Sequence, residues 1–111
     1  MTAASDCRLV LTTCPDDRVA RLLARALIEA ELGACVNIVP GLTSIYRWQG
    51  VVEEGSEVLL LIKTLAVRYE ALESFIRERH PYQLAEIIAV DLSAGLPAYL
   101  AWIGESVRAE S

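Results

Sequence analysis

Hydrophobic and polar positions change period several times along the chain, and each change marks an element. Arg8 to Thr13 (RLVLTT) is β-rich, and Pro15 ends it. Cys14-Pro15-Asp16-Asp17 reads as a turn and a helix start, because an aspartate can accept from the free N–H groups of a first helical turn. Val19, Leu22, Leu23, Ala26, Leu27 and Ala30 then recur at helical spacing, with Arg18, Arg21, Arg25 and Glu29 off that stripe. Gly33 is the expected stop of this helix. Cys35 to Val39 reads as a strand, broken at Pro40-Gly41 by a bulge or an edge position, and resumed from Thr43 to Trp48. Gln49-Gly50 turns the chain or lies in a long hairpin, and Val51 to Lys63 then contains the run Glu57 to Lys63. A second helix is expected from about Leu65 to Arg79, with Leu65, Tyr69, Leu72, Phe75 and Ile76 as its stripe and Pro81 just beyond it. Glu86 to Leu92 is a fourth strand, and Pro97 opens a last helix reaching Val107.

The order β-α-β-β-α-β plus a helix predicts an α+β fold. It is the ferredoxin-like split βαβ, an antiparallel sheet with two helices on one face. The chain of 111 residues has room for one domain, 1–111, with an ordered core over about 8–107. The strands do not alternate as a half-wet sheet should. Val58 to Ile62 is apolar at every position, and so is Ile87 to Val90. The second face therefore needs a cover, either the short C-terminal helix or a second copy of the chain.

Composition narrows the function. Hydrophobic residues make up 54% and charged residues 23%, which excludes disorder. The net charge is −5 and Lys63 is the only lysine, so no basic patch exists for nucleic acid. The longest uncharged stretch, Leu32 to Tyr46, contains Gly33, Asn37, Pro40 and Gly41 and does not read as a membrane helix. Met1 to Asp6 lacks the basic start and apolar core of a signal peptide. Three cysteines with no CxxC spacing fit a reducing compartment, so the expected location is the cytoplasm.

Candidate chemistry is sparse. Cys14, Cys35 and His80 are the soft and borderline metal donors worth weighing. Cys7 and Cys14 stand seven apart and point to opposite faces of a strand, whereas Cys14 and Cys35 sit near the ends of different strands and are free to approach. The plainer reading makes Cys35 a small core residue and His80 a helix-end cap. Lys63, Glu57, Tyr46, Trp48, Tyr82, Glu86 and Trp102 form a second group, aromatic walls with charged anchors, as a ligand cleft would use. Its plainer reading is an ion pair of Lys63 with Glu57 or Glu86 among packed aromatics. No nucleophile elbow, P-loop or catalytic triad appears. An acylphosphatase-like site would need a glycine-rich, arginine-bearing loop where Cys14-Pro15-Asp16-Asp17 stands. No enzyme activity is expected.

Three stretches carry a family resemblance: Thr12-Thr13-Cys14-Pro15-Asp16; Gly33 to Gly41 continuing through Thr43-Ser44-Ile45-Tyr46, Trp48, Gly50 and Glu57 to Lys63-Thr64; and His80-Pro81-Tyr82, Glu86-Ile87-Ile88 and Tyr99 to Ile103. Together they resemble the CutA divalent-cation tolerance proteins over roughly Arg8 to Val107. The resemblance implies a ferredoxin-like protomer in a homotrimer shaped like the PII signalling proteins, with copper or another divalent metal as its ion. The charge pattern and the lack of a long apolar run add the expectation of no nucleic-acid and no membrane partner. The chain has Ala85 where members commonly have proline. Thr12 and Arg79-His80 stand where members with a proposed copper site have a cysteine and a double histidine, so only His80 carries over. The expectation is weak, surface-assisted copper binding. The alternative is a PII-like signalling or scaffolding trimer that takes a small ligand or a protein partner in clefts between subunits.

Overall fold

The structure is a computed structural model that describes residues 1–108. Four strands, β1 (Cys7–Cys14), β2 (Cys35–Trp48), β3 (Val51–Leu65) and β4 (Ile87–Asp91), form one sheet in the order β2-β3-β1-β4. Every neighbouring pair is antiparallel. Helices α1 (Asp17–Glu29) and α2 (Tyr69–Arg79) follow β1 and β3, and α3 (Pro97–Ser106) closes the described chain. This is the split βαβ arrangement with an added helix.

Local chemistry sets the element ends. Asp16 caps α1, its Oδ1 accepting from the Val19 N–H at 2.9 Å. The stop of α1 is Glu31, not Gly33. Glu31 takes a left-handed φ of 59°, and the Leu32 N–H returns to the Leu27 carbonyl at 3.1 Å. Burial of Leu32 anchors this Schellman ending. Gly33 does a different job: a Cβ there would meet Ile62 Cγ2 at 3.2 Å. The α1 stripe is also rotated from expectation. Ala20, Leu23, Ala24 and Leu27 are buried, while Leu22 is 58% exposed. Leu65 belongs to β3 rather than to α2, and a short 3-10 turn, Ala66–Arg68, separates the two.

The β2 ladder slips between Val39 and Leu42, where one extra residue makes a bulge at Pro40-Gly41. β2 is also an edge strand, which tolerates the proline. Gln49 and Gly50 both have positive φ, the signature of a two-residue type I′ turn. β1 pairs β3 only over residues 58–65, so β2 and β3 run on beyond the sheet as a two-stranded arm.

The two sheet faces have different fates. Val10, Cys14, Val58, Leu60 and Ile62 pack under α1 and α2 with Leu23, Leu27, Leu72 and Ile76. On the other face, α3 covers only one end, where Leu100, Ile103 and Val107 meet Cys7, Ala34 and Leu65. Register then places Lys63, Leu9 and Val90 in one row and Leu61, Leu11 and Ile88 in the next, with Leu59 beyond. Ile88 is 51% and Val90 48% exposed. An apolar sheet face thus stands open in the single protomer.

Candidate functional site

The segment after α2 builds a cleft at the far end of this open face. Pro81 denies helical geometry to His80, whose ψ of 136° ends α2. The His80 ring then clamps two backbones. Its Nδ1 accepts from the Tyr82 N–H at 3.1 Å, which leaves the proton on Nε2 to be donated to the Thr13 carbonyl at 2.7 Å. The His80 and Tyr82 rings lie 4.8 Å apart, and the Tyr82 hydroxyl donates to Glu57 Oε2 at 2.9 Å. Burial first, then that bond to Glu57, pushes the Tyr82 hydroxyl well above the usual phenol range.

Beside this clamp lies a cavity of about 800 Å³. Five of the seven cleft candidates line it: Glu57, Tyr46, Trp48, Tyr82 and Glu86. Lys63 and Trp102 do not. Lys63 shares a sheet face with Glu57, but six residues of strand put about 20 Å between them. The ammonium of Lys63 donates instead to Asn37 Oδ1 and lies 3.8 Å from Cys35 Sγ. Neither Glu57 nor Glu86 forms an ion pair with it among the described residues. Trp102 sits on α3 with its ring 5.4 Å from that of Tyr99. Glu53 was missed as a lining residue. The signal was present, since a two-residue Gln49-Gly50 turn places Glu53 opposite Tyr46.

The three metal candidates are not gathered in one protomer. Cys14 is fully buried on the helix side of the sheet, and burial, followed by Asp16 and Glu57, pushes its thiol up to about 11. Cys35 lies on the opposite face, level with Lys63, whereas Cys14 is level with Val58. The two cysteines, free to approach by sequence, therefore do not meet within the protomer. His80 has both ring nitrogens engaged by backbone. Among the described residues, no three His, Cys, Asp or Glu side chains converge as a metal ion would need. These residues do not fit a closed site within one chain.

Comparison with known proteins decides the family. Residues 8–106 match the model of the CutA1 divalent ion tolerance protein. The chain belongs to that family. The CutA homolog of Xenopus laevis is 48% identical over 86% of this chain, which spans 63% of that relative's length. The divalent-cation tolerance protein CutA of Thermus thermophilus is 50% identical over 88% of this chain and 95% of its own. The crystal structure of CutA1 from Oryza sativa superimposes with a TM-score of 0.93 at 37% identity, covering 98% of both chains. The family is named for tolerance and not for a catalysed reaction.

Proposed function

We propose that this chain serves divalent-cation tolerance as a homotrimer, without catalysing a reaction, and that its contact with copper is weak and open. The observation that supports assembly is the uncovered apolar face of Leu9, Leu11, Leu59, Leu61, Ile88 and Val90. Covering it completes the burial of four half-buried leucines and takes the exposed Ile88 and Val90 out of water, at about 25 cal/mol for each Å² of apolar surface removed. The sheet also has two unlike edges, β2 and β4. A ring of protomers satisfies both, where a two-fold pair would join like to like. The count of three comes from the family resemblance. Sedimentation equilibrium is expected to give about 37 kDa, three times 12.2 kDa. A 12 kDa species at micromolar concentration overturns the assembly.

The weak copper contact rests on His80. A metal ion reaching this ring displaces either the Tyr82 N–H or the Thr13 carbonyl. Leaving such a group unpaired costs about 1–3 kcal/mol. Calorimetry with Cu(II) is expected to show affinity weaker than about nanomolar, reduced further in His80→Ala without loss of the trimer. Sub-nanomolar affinity, or an unchanged isotherm in that variant, refutes this reading. The three free thiols, Cys7, Cys14 and Cys35, support a reducing, cytoplasmic location. Cell fractionation with thiol alkylation tests it, and a periplasmic or secreted pool would refute it.

A further inference from the structure

We propose that the cavity between the β2–β3 arm and the 81–86 segment is a binding site for an organic ammonium ion with an apolar body. Its lining combines three carboxylates with three aromatic rings. Glu53 and Glu57 stand four residues apart on β3, on the strand face they share with Tyr46 and Trp48 of β2. Tyr82 and Glu86 come from the opposite wall. The one cation in the lining is Arg47, whose guanidinium donates to the Gly50 carbonyl at the arm's tip, 3.4 Å away. None of the three carboxylates has an ion-pair partner among the described residues. The cavity is therefore acidic and aromatic at once.

That pairing selects a chemical class. An anion meets excess negative charge. A neutral apolar ligand leaves the carboxylates without counter-charge. A bare divalent cation needs several donors at one point, and no three His, Cys, Asp or Glu side chains converge among the described residues. At about 800 Å³ the space also far exceeds one ion. An organic ammonium uses all the features. Its charge lies against ring faces, best those of tryptophan, and its carbon body takes the apolar remainder. The Tyr82 hydroxyl holds Glu57 by Oε2, which fixes that carboxylate and leaves its second oxygen for the ligand.

The test is calorimetry on the intact protein with three probes of one size: benzylammonium, benzyl alcohol and benzoate. Benzylammonium is expected to bind about tenfold tighter than benzyl alcohol, with benzoate weakest. The preference should shrink as ionic strength rises. Glu57→Gln keeps an acceptor for Tyr82 and should weaken benzylammonium about fivefold while leaving benzyl alcohol unchanged. Trp48→Leu, at the arm's end, should weaken benzylammonium by a similar factor. Circular dichroism and sedimentation confirm that both variants keep the wild-type fold and assembly. Equal binding of the three probes, or benzoate binding tightest, overturns the proposal. Competitive expulsion of benzylammonium by an equal concentration of Zn(II) would make the cavity a metal site and also overturns it. So does the absence of binding by any probe to the assembled protein, which would mean that a neighbouring copy fills the space.

Discussion

Two adjacent leucines on β3 separate the stability of the protomer from its assembly. Leu60 is fully buried under α1 and α2, whereas Leu61 lies on the open face beside Leu11. Leu60→Ala leaves a cavity in a closed core and should cost about 2–5 kcal/mol, whatever the protein concentration. Leu61→Asp acts elsewhere. In a lone protomer Leu61 is already half-buried on a central strand, so the change itself costs about 1–2 kcal/mol of protomer stability. In a trimer that buries this face, it removes a leucine contact and places a carboxylate in apolar surroundings, costing about 3–5 kcal/mol per protomer. At about 1.4 kcal/mol per tenfold, that is a factor of 10² to 10³ or more for each copy joining the ring. The assay is sedimentation velocity over a hundredfold range of concentration, with urea unfolding followed by circular dichroism. Leu60→Ala should unfold earlier yet keep its assembly wherever it is folded. Leu61→Asp should dissociate while retaining helical and strand signal. A Leu61→Asp protein that stays trimeric with wild-type unfolding would refute the claim that this face is the interface.

Three further outcomes follow from the geometry. Asp16→Ala removes the acceptor of the Val19 N–H and should cost about 1 kcal/mol in urea unfolding; no change would mean that the cap is redundant. The Cys14 thiol ionises near 9 in an open chain and at about 11 in the fold. Between those values the native state holds more protons, so stability falls as pH rises from 9 to 11, by roughly 2–3 kcal/mol at the end. Cys14→Ala should flatten that part of the pH profile, with the raised Tyr82 hydroxyl pulling the same way at higher pH; an identical profile in the variant sinks the assignment. Thiol labelling of the folded protomer should reach Cys35 before the buried Cys7 and Cys14, and simultaneous modification of all three would contradict the burial pattern.

The sequence alone determined a good deal here, because much of this fold is written in local periods. Helical and strand spacing, the Pro81 stop and the Gln49-Gly50 turn yield the order of elements, and that order yields the α+β topology. Strand parity placed Cys7 and Cys14 on opposite faces without coordinates, and unbroken apolar runs showed that both sheet faces seek burial. Parity carries direction but not distance along the strand. It therefore grouped Lys63 with Glu57, and only the paired registers showed that Lys63 meets Asn37 and Cys35 while Glu57 meets Tyr82. The bulge after Val39 flips the inward set of β2, so the wall of Tyr46 and Trp48 was settled by the ladder. The role of His80 depended wholly on tertiary structure. Its Nε2 bond joins the end of α2 to Thr13, 67 residues earlier, and no local pattern encodes a partner at that separation. The same holds for Cys14 and Cys35: covalent neighbours hint at each one's exposure, but the sheet between them decides that they never meet.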